Sequence, residues 1–309
     1  MSKYLTEIYY DTKSSGSYGG VSRLKEASGF KSNKLLKEYL ETQPTYQLHK
    51  FARKKFLRRK VSAPYKNYLW QMDLIQLDRL SRFNSGFKYI LTIIDISTRF
   101  AYARCLKNKT GREVAEALSD IIKNTNHPKY IVADYGREFW NSQVQKLLSE
   151  TGTILRRTYS EFKACVVERF NQTLLSRISK HFTTNNTKRY INILQDLVYS
   201  YNHSIHRGIN LKPAEVDKTK EFQAWLNLHR DVMHMKQPKP SFKLNDQVRV
   251  VKQKGVFEKG HTKRFSDDVF LIQSIVQGIP ITYTLKTASN ESLNGLFYDS
   301  ELSRVRTVK

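Results

Sequence analysis

Asp73 in WQMDL, Asp134 in VADYGREF and Glu168 in KACVVERFN are acids set among apolar residues. An ionised carboxylate in such company is costly unless something pairs with it, and a metal ion would. Three of them on three separate elements converge only if a cation offsets their repulsion. Hard oxygen ligands select Mg2+ or Mn2+ over zinc. Two such ions about 3.5–4 Å apart clamp the attacking and leaving oxygens of an in-line phosphoryl displacement. Two alternatives stand beside this chemistry. Glu168 reads equally as an exposed helix glutamate, and paired carboxylates also carry out glycoside acid–base chemistry.

The elements that must position these acids are legible in the pattern. Val167, Phe170, Leu174, Ile178 and Phe182 recur at three- and four-residue spacing, one buried face of an amphipathic helix. Glu168 lies at the edge of that stripe near its start, and Asn171 follows three residues later on the same face. Upstream, WQMDLIQL reads as a strand carrying Asp73, and FKYILTIIDISTRFAYARCL as two more strands joined at STR. GREVAEALSDIIKN is a helix. PKYIVADYGREFW is a strand ending at Asp134 before a turn at Gly136. NSQVQKLLSETG is a second helix, with Asn141 as cap and Gly152 past its end. TILRRTYS is a last short strand. This alternation predicts an α/β fold, a mixed sheet with helices on its faces, and sites just beyond strand ends. Asp95, in TIIDISTR, reads as a turn or structural acid. His203 and His206 lack a third ligand and read as packing residues.

The chain carries 53 Lys+Arg against 28 Asp+Glu over 309 residues, a net charge of +25. Such a balance points to a polyanionic partner, nucleic acid first, and gives the glycosidase reading no use for its surface. No run approaches the roughly 18 apolar residues of a spanning helix, so no membrane partner is expected. MSKYLTEIYYDTKSSGS has no apolar core of a secretory signal. Two cysteines, Cys105 and Cys165, make no disulfide framework and suit a reducing compartment.

Residues 1–49 read as a small helical domain: VSRLKEAS, a break at Gly29, then NKLLKEYLET with Ser32 as N-cap. Two short helices around a glycine suit a helix-turn-helix, and any tiny helical domain as well. No zinc pattern is present there, so no zinc is expected. Residues 50–61 are a basic linker. Seven of the eleven residues in KFARKKFLRRK are basic, and Lys54, Lys55, Arg58 and Arg59 are the expected phosphate contacts, with nuclear import as a second use. A helix and linker span 219–240. Residues 241–309 then hold about five short strands, which predicts an SH3-like or chromo-like β-barrel.

WQMDL, VADYGREF and KACVVERFN together resemble the three motifs of the retroviral-type integrase core, the DDE recombinases of the ribonuclease-H-like fold. Between Asp134 and Glu168 lie 33 residues, close to the family's spacing. The resemblance runs through TKRYINILQDLVYSYNHSIHRGINLKPAEV and covers roughly residues 62–218. GSYGG, LHKFARKKFLRRKV and FYDSELSRV look most like integrases of Maverick/Polinton-type transposons and related virophages. The resemblance implies that Asp73, Asp134 and Glu168 are the catalytic, metal-binding triad, holding two Mg2+ or Mn2+ ions. It implies 3′-end processing of element DNA, strand transfer into target DNA, and a homo-oligomer on double-stranded DNA, with chromatin as a further partner. The expected location is the host nucleus, or a virion. Retroviral cores carry lysines just after the glutamate. Here Gln172 and Leu175 occupy that face, so contact with the element end falls to Lys163, Arg169, Asn171 or Arg177. Two rival functions remain: a catalytically idle DNA- or chromatin-binding descendant, and a nuclease without joining activity.

Overall fold

The computed structural model describes residues 2–52, 55–157, 164–252 and 262–306. The chain divides into two compact units, Lys60–Met235 and a second made of Met1–Arg59 with Lys236–Lys309.

The second unit begins with four helices: α1 (Ser2–Tyr10), α2 (Val21–Ser28), α3 (Asn33–Leu40) and α4 (Pro44–His49). The sequence predicts two of them. Ser32 caps α3 as expected, accepting from the Leu35 amide, and Gly29 ends α2 at a positive φ of 73°. The missed α1 holds three tyrosines and one isoleucine in nine residues, types that favour strands by propensity. Tertiary packing overrides that, because Leu5 and Tyr9 complete a core with Leu24, Leu36 and Leu40. The missed α4 is only six residues and opens on Pro44 at its first position.

The Lys60–Met235 unit is built on a sheet. Its elements are β1 (Leu69–Gln76), β2 (Tyr89–Asp95), β3 (Ala101–Leu106), α5 (Gly111–Lys123), β4 (Tyr130–Ala133), α6 (Ser142–Glu150), β5 (Ile154–Arg157), α7 (Cys165–Asn185), α8 (Leu194–Asn202) and α9 (Glu221–Met233). The strand order is β3-β2-β1-β4-β5, antiparallel across β1–β3 and parallel across β1, β4 and β5. This is the mixed α/β sheet expected of a ribonuclease-H-like core. The period-two alternation of β1 decides what faces what. Trp70 and Met72 join Val114, Leu118, Val144 and Leu148 of α5 and α6 on one face. Ile75 joins Val167, Phe170, Leu174 and Val198 of α7 and α8 on the other. Gln71 and Asp73 share the alternation of Ile75 and so lie under α7.

After α9 the chain returns to the second unit with β6 (Gln247–Val250), β7 (Phe270–Val276), β8 (Thr282–Lys286), β9 (Ser292–Tyr298) and β10 (Leu302–Arg304). They form one antiparallel sheet in the order β10-β6-β7-β8-β9, with no pairing recorded between the two outer strands among the described residues. The expected barrel is thus an open sheet over a small core of Phe242, Val248, Ile272, Tyr283 and Leu285. The helical segment packs onto this sheet through hydrogen bonds. Arg306 donates to a Glu41 carboxylate at 2.8 Å, Arg249 to Gln47 at 3.1 Å, and the Arg264 amide to the Leu48 carbonyl at 2.8 Å.

Candidate active site on the sheet under α7

Asp73 and Asp134 come together through the sheet. Parallel β1 and β4 pair Gln71 with Val132, so carrying that register two residues further sets Asp73 opposite Asp134. β4 ends at Ala133, which makes Asp134 the first residue beyond the strand, as expected of a site residue in such a sheet. Trp140 holds the following turn by donating its indole N–H to the Asp134 carbonyl at 3.0 Å. The Tyr135 ring lies 5.9 Å from that indole, and the Arg157 guanidinium sits 3.6 Å from the Tyr135 ring centroid.

Glu168 reaches the same region because α7 is tied to β1. The buried Gln71 side chain accepts from the Val166 and Val167 amides at 3.0 and 3.1 Å. These are first-turn N–H groups that the helix itself leaves without partners. Glu168 lies exposed in that first turn, where the helix dipole favours a negative charge. One turn on, Asn171 donates to an Asp73 carboxylate oxygen at 2.8 Å, and the Leu74 amide donates to the other at 2.8 Å.

Burial pushes the Asp73 carboxyl up from its ordinary 3.8 to about 6. The Leu74 amide opposes the rise, the charges of Asp134 and Glu168 add to it, and the Asn171 bond again opposes it. The charges of Asp134 and Glu168, from two other elements, thus both reach Asp73. The three acids do not form a closed ligand set: among the described residues, no three acid, histidine or cysteine side chains come close enough to hold one metal ion.

The sequence-derived DNA contacts fare differently. Lys54 and Lys163 lie outside the described residues. Lys55 and Arg169 are exposed. Asn171 is buried and bonded to Asp73, and Arg177 reaches Ser200 at 3.2 Å, across to α8. Arg58 stacks on Phe56, 4.3 Å from the ring centroid, with Glu301 at 3.8 Å. Arg59 donates to the carbonyls of Val276, Gln277 and Pro280 at 2.6, 2.8 and 3.0 Å. Gly278 makes room for it, since a Cβ there would meet the guanidinium at 2.7 Å.

Asp95 is 1% exposed and its oxygens accept from Thr98, Asn67 and Trp70, which closes the β2–β3 turn. His206 is half-buried; desolvation holds its imidazole down at about 4, and it accepts from the Gly208 amide. Gln71, which ties α7 to β1, is the residue near the acids that the sequence pattern did not single out. Its alternation with Asp73 and Ile75 was visible, but its bond to α7 depends on which helix covers that face.

A family model for the integrase core domain matches residues 63–160, which includes Asp73 and Asp134. A transposon-derived protein of Caenorhabditis elegans is 34% identical over 218 residues, covering 70% of this chain and 72% of the relative. The chain belongs to the retroviral-type integrase family. The retrovirus-related Pol polyprotein from transposon 297 of Drosophila melanogaster is 24% identical over 135 residues, 43% of this chain and 13% of the polyprotein. In structure, the integrase-family fold extends over most of the chain. A chain of the simian T-cell lymphotropic virus intasome, solved with PP2A regulatory subunit B56 gamma, matches at a TM-score of 0.64 and 13% identity, covering 94% of this chain and 97% of that one.

Proposed function

We propose that this integrase-family chain is the DNA integrase of a mobile element or virus, performing 3′-end processing and strand transfer into target DNA. The observation that carries the reading is the convergence of three acid-bearing elements. The β1–β4 register sets Asp73 opposite Asp134, and Gln71 ties the first turn of α7, which carries Glu168, to β1. Burial and then the charges of both acids raise the Asp73 carboxyl to about 6. Acids from β1, from the end of β4 and from α7 gain nothing for the fold by sharing a field, since their mutual repulsion opposes folding. A divalent cation would reverse that repulsion. The donor chemistry, three carboxylates and no thiolate, favours Mg2+ or Mn2+, and a bound ion would have to draw the three acids closer together than they stand here. Asp73, Asp134 and Glu168 would hold it, and when bound it would supply charge stabilisation at the displaced phosphate oxygens. The chain's own residues do the positioning. Gln71 fixes the start of α7, Asn171 orients Asp73, and Trp140 fixes the turn after Asp134.

The net charge of +25 supports double-stranded DNA as partner, and exposed Arg169 and Lys55 supply phosphate contacts in this reading. A homo-oligomer on DNA, two metal ions, a Maverick/Polinton or virophage origin and a nuclear or virion location complete it. The C-terminal sheet is read as an SH3-like module that binds DNA or chromatin. Among the described residues no helix is long and apolar enough to cross a membrane. Labelled DNA ends incubated with a plasmid target test the reading. Joined product supports it; cleavage without joining favours a nuclease, and binding alone favours a catalytically idle descendant.

A further inference from the structure

A cavity of about 440 Å3 opens among the N-terminal helices, in the unit that does not contain the acids. That volume lies within the ~300–1,000 Å3 of ordinary small-ligand sites. Tyr9, Tyr18, Tyr46 and Phe51 wall it, with His49 and Lys50 beside them. Tyr9 is buried, and the Tyr18 ring stands edge-on to it at 5.7 Å. Tyr18 and Phe51 are 53% and 73% exposed, so two aromatic faces are open to a ligand.

Among the described residues that line this cavity, the only acid or base of fixed charge is Lys50. Lys50 is half-buried, and burial, then Lys37 and Arg304, lower the affinity of its amine for a proton while Glu41 opposes them. Among the described residues no acceptor is recorded within hydrogen-bonding distance of the Lys50 ammonium. The Arg264 guanidinium lies 5.2 Å from the Phe51 ring centroid. No carboxylate lines the cavity, and Glu41, the acid that acts on Tyr46, is engaged by Arg306 at 2.8 Å. Aromatic cages often take quaternary ammonium groups, but Lys50 would repel one. An apolar peptide side chain would fill the space and leave Lys50 without an anion. A flat ring carrying a negative charge satisfies both the tyrosines and the lysine.

We propose that this cavity holds one unpaired nucleotide of bound DNA, its base against the aromatic walls and its phosphate at Lys50. The inference rests on DNA being the partner of the chain. Gly20 gives the means to test it, because it lines the cavity and a Cβ there would meet nothing within 4 Å. Its φ of −83° and ψ of −173° suit any residue. Gly20→Phe therefore fills the mouth of the cavity without backbone strain.

The experiment uses the full chain and three fluorescent duplexes: blunt, with a short single-stranded overhang, and with the same overhang made abasic. The wild type should bind the natural overhang roughly tenfold tighter than the blunt duplex, equivalent to ~1.4 kcal/mol, as expected of one base stacked on an aromatic ring. The abasic overhang should lose that preference. Gly20→Phe should reduce it to within about twofold while leaving blunt-duplex affinity unchanged, and Lys50→Gln should reduce it in part. No preference in the wild type, or a preference that survives in the abasic strand or in Gly20→Phe, overturns the proposal. Failure to bind even the blunt duplex would instead overturn the DNA reading on which it rests.

Discussion

The acids under α7 and the basic run before the core were read from the same kind of signal, charge out of place, yet the structure treats them differently. Asp73 keeps a carboxyl raised to about 6, first by burial and then by the charges of Asp134 and Glu168. In the basic run, Arg59 spends its guanidinium on three backbone carbonyls, and Lys60 bonds the Leu228 carbonyl at 2.7 Å and Asp231 at 2.6 Å. Repulsive neighbours that the fold keeps together call for an outside partner. A cation that has found carbonyls and carboxylates of its own chain does not. Charge alone separates neither case from the sequence; what decides is whether a compensating group lies within the chain.

The largest expected effect tests the acid side. Asp73→Asn, Asp134→Asn and Glu168→Gln should each lower strand transfer by at least ~10²–10³-fold, the loss of ~3–4 kcal/mol typical when one charge-stabilising group is removed. DNA affinity should stay within a few-fold, because arginine and lysine contacts are untouched. Joining assays and anisotropy on the same preparations check both halves. A variant that joins DNA at the wild-type rate would remove that acid from the site.

Arg59→Ala tests the basic side. Three charge-assisted bonds to carbonyls should be lost, at roughly 2–4 kcal/mol of stability in the unit that holds the C-terminal sheet. Urea unfolding should register this, while the salt dependence of DNA binding should not move. An unchanged midpoint with a shallower salt slope would return Arg59 to the phosphate contacts.

How much of this was legible beforehand follows from where the information resides. The helix caps Ser32 and Asn141 and the stripe of α7 depend on residues within one or two turns, and the chain displays them directly. The elements that carry the acids were legible because each acid interrupts an apolar pattern. Arg59 was not, because its partners lie more than 200 positions away at Val276, Gln277 and Pro280, and a run of arginines looks the same solvated or clamped. The Gln71 bond to α7 was hidden for the same reason, with 95 positions between its ends. The open C-terminal sheet is a third instance: alternation predicts strands but not whether the outer two close on each other.

The pH dependence of stability sharpens the acid side further. The folded-state carboxyl of Asp73 sits at about 6 against an ordinary 3.8. The native state therefore holds its proton to higher pH than the unfolded chain, so this residue's contribution is fully present below about pH 4 and is lost as pH rises towards 6. The side chain is partly exposed, so the swing should be on the order of 1–2 kcal/mol rather than the ~3 that the full shift implies. In EDTA, wild type should lose this increment between pH 4 and pH 7 relative to Asp73→Asn. Excess Mg2+ at neutral pH should restore it to the wild type alone. Parallel pH profiles in EDTA would show that folding does not raise the Asp73 carboxyl.

The smallest effect isolates the one described residue of the basic run, among those predicted to touch phosphate, that stays exposed with no partner of its own chain recorded. Lys55 stands in solvent. If it touches a phosphate, Lys55→Ala should lower the log–log salt slope of duplex binding by about 0.9. Between 50 and 200 mM salt, a change of that size alters the fall in affinity by only about threefold. The melting temperature should not shift, because an exposed lysine stabilises little. The contrast with Arg59→Ala is then reciprocal: one variant moves the slope and not the fold, the other the fold and not the slope. A Lys55→Ala slope equal to wild type, measured over at least four salt concentrations, would leave the described part of the run with no phosphate contact. On the proposed function, the positive charge that contacts DNA would then have to lie elsewhere, with exposed Arg169 beside Glu168 the next residue to test.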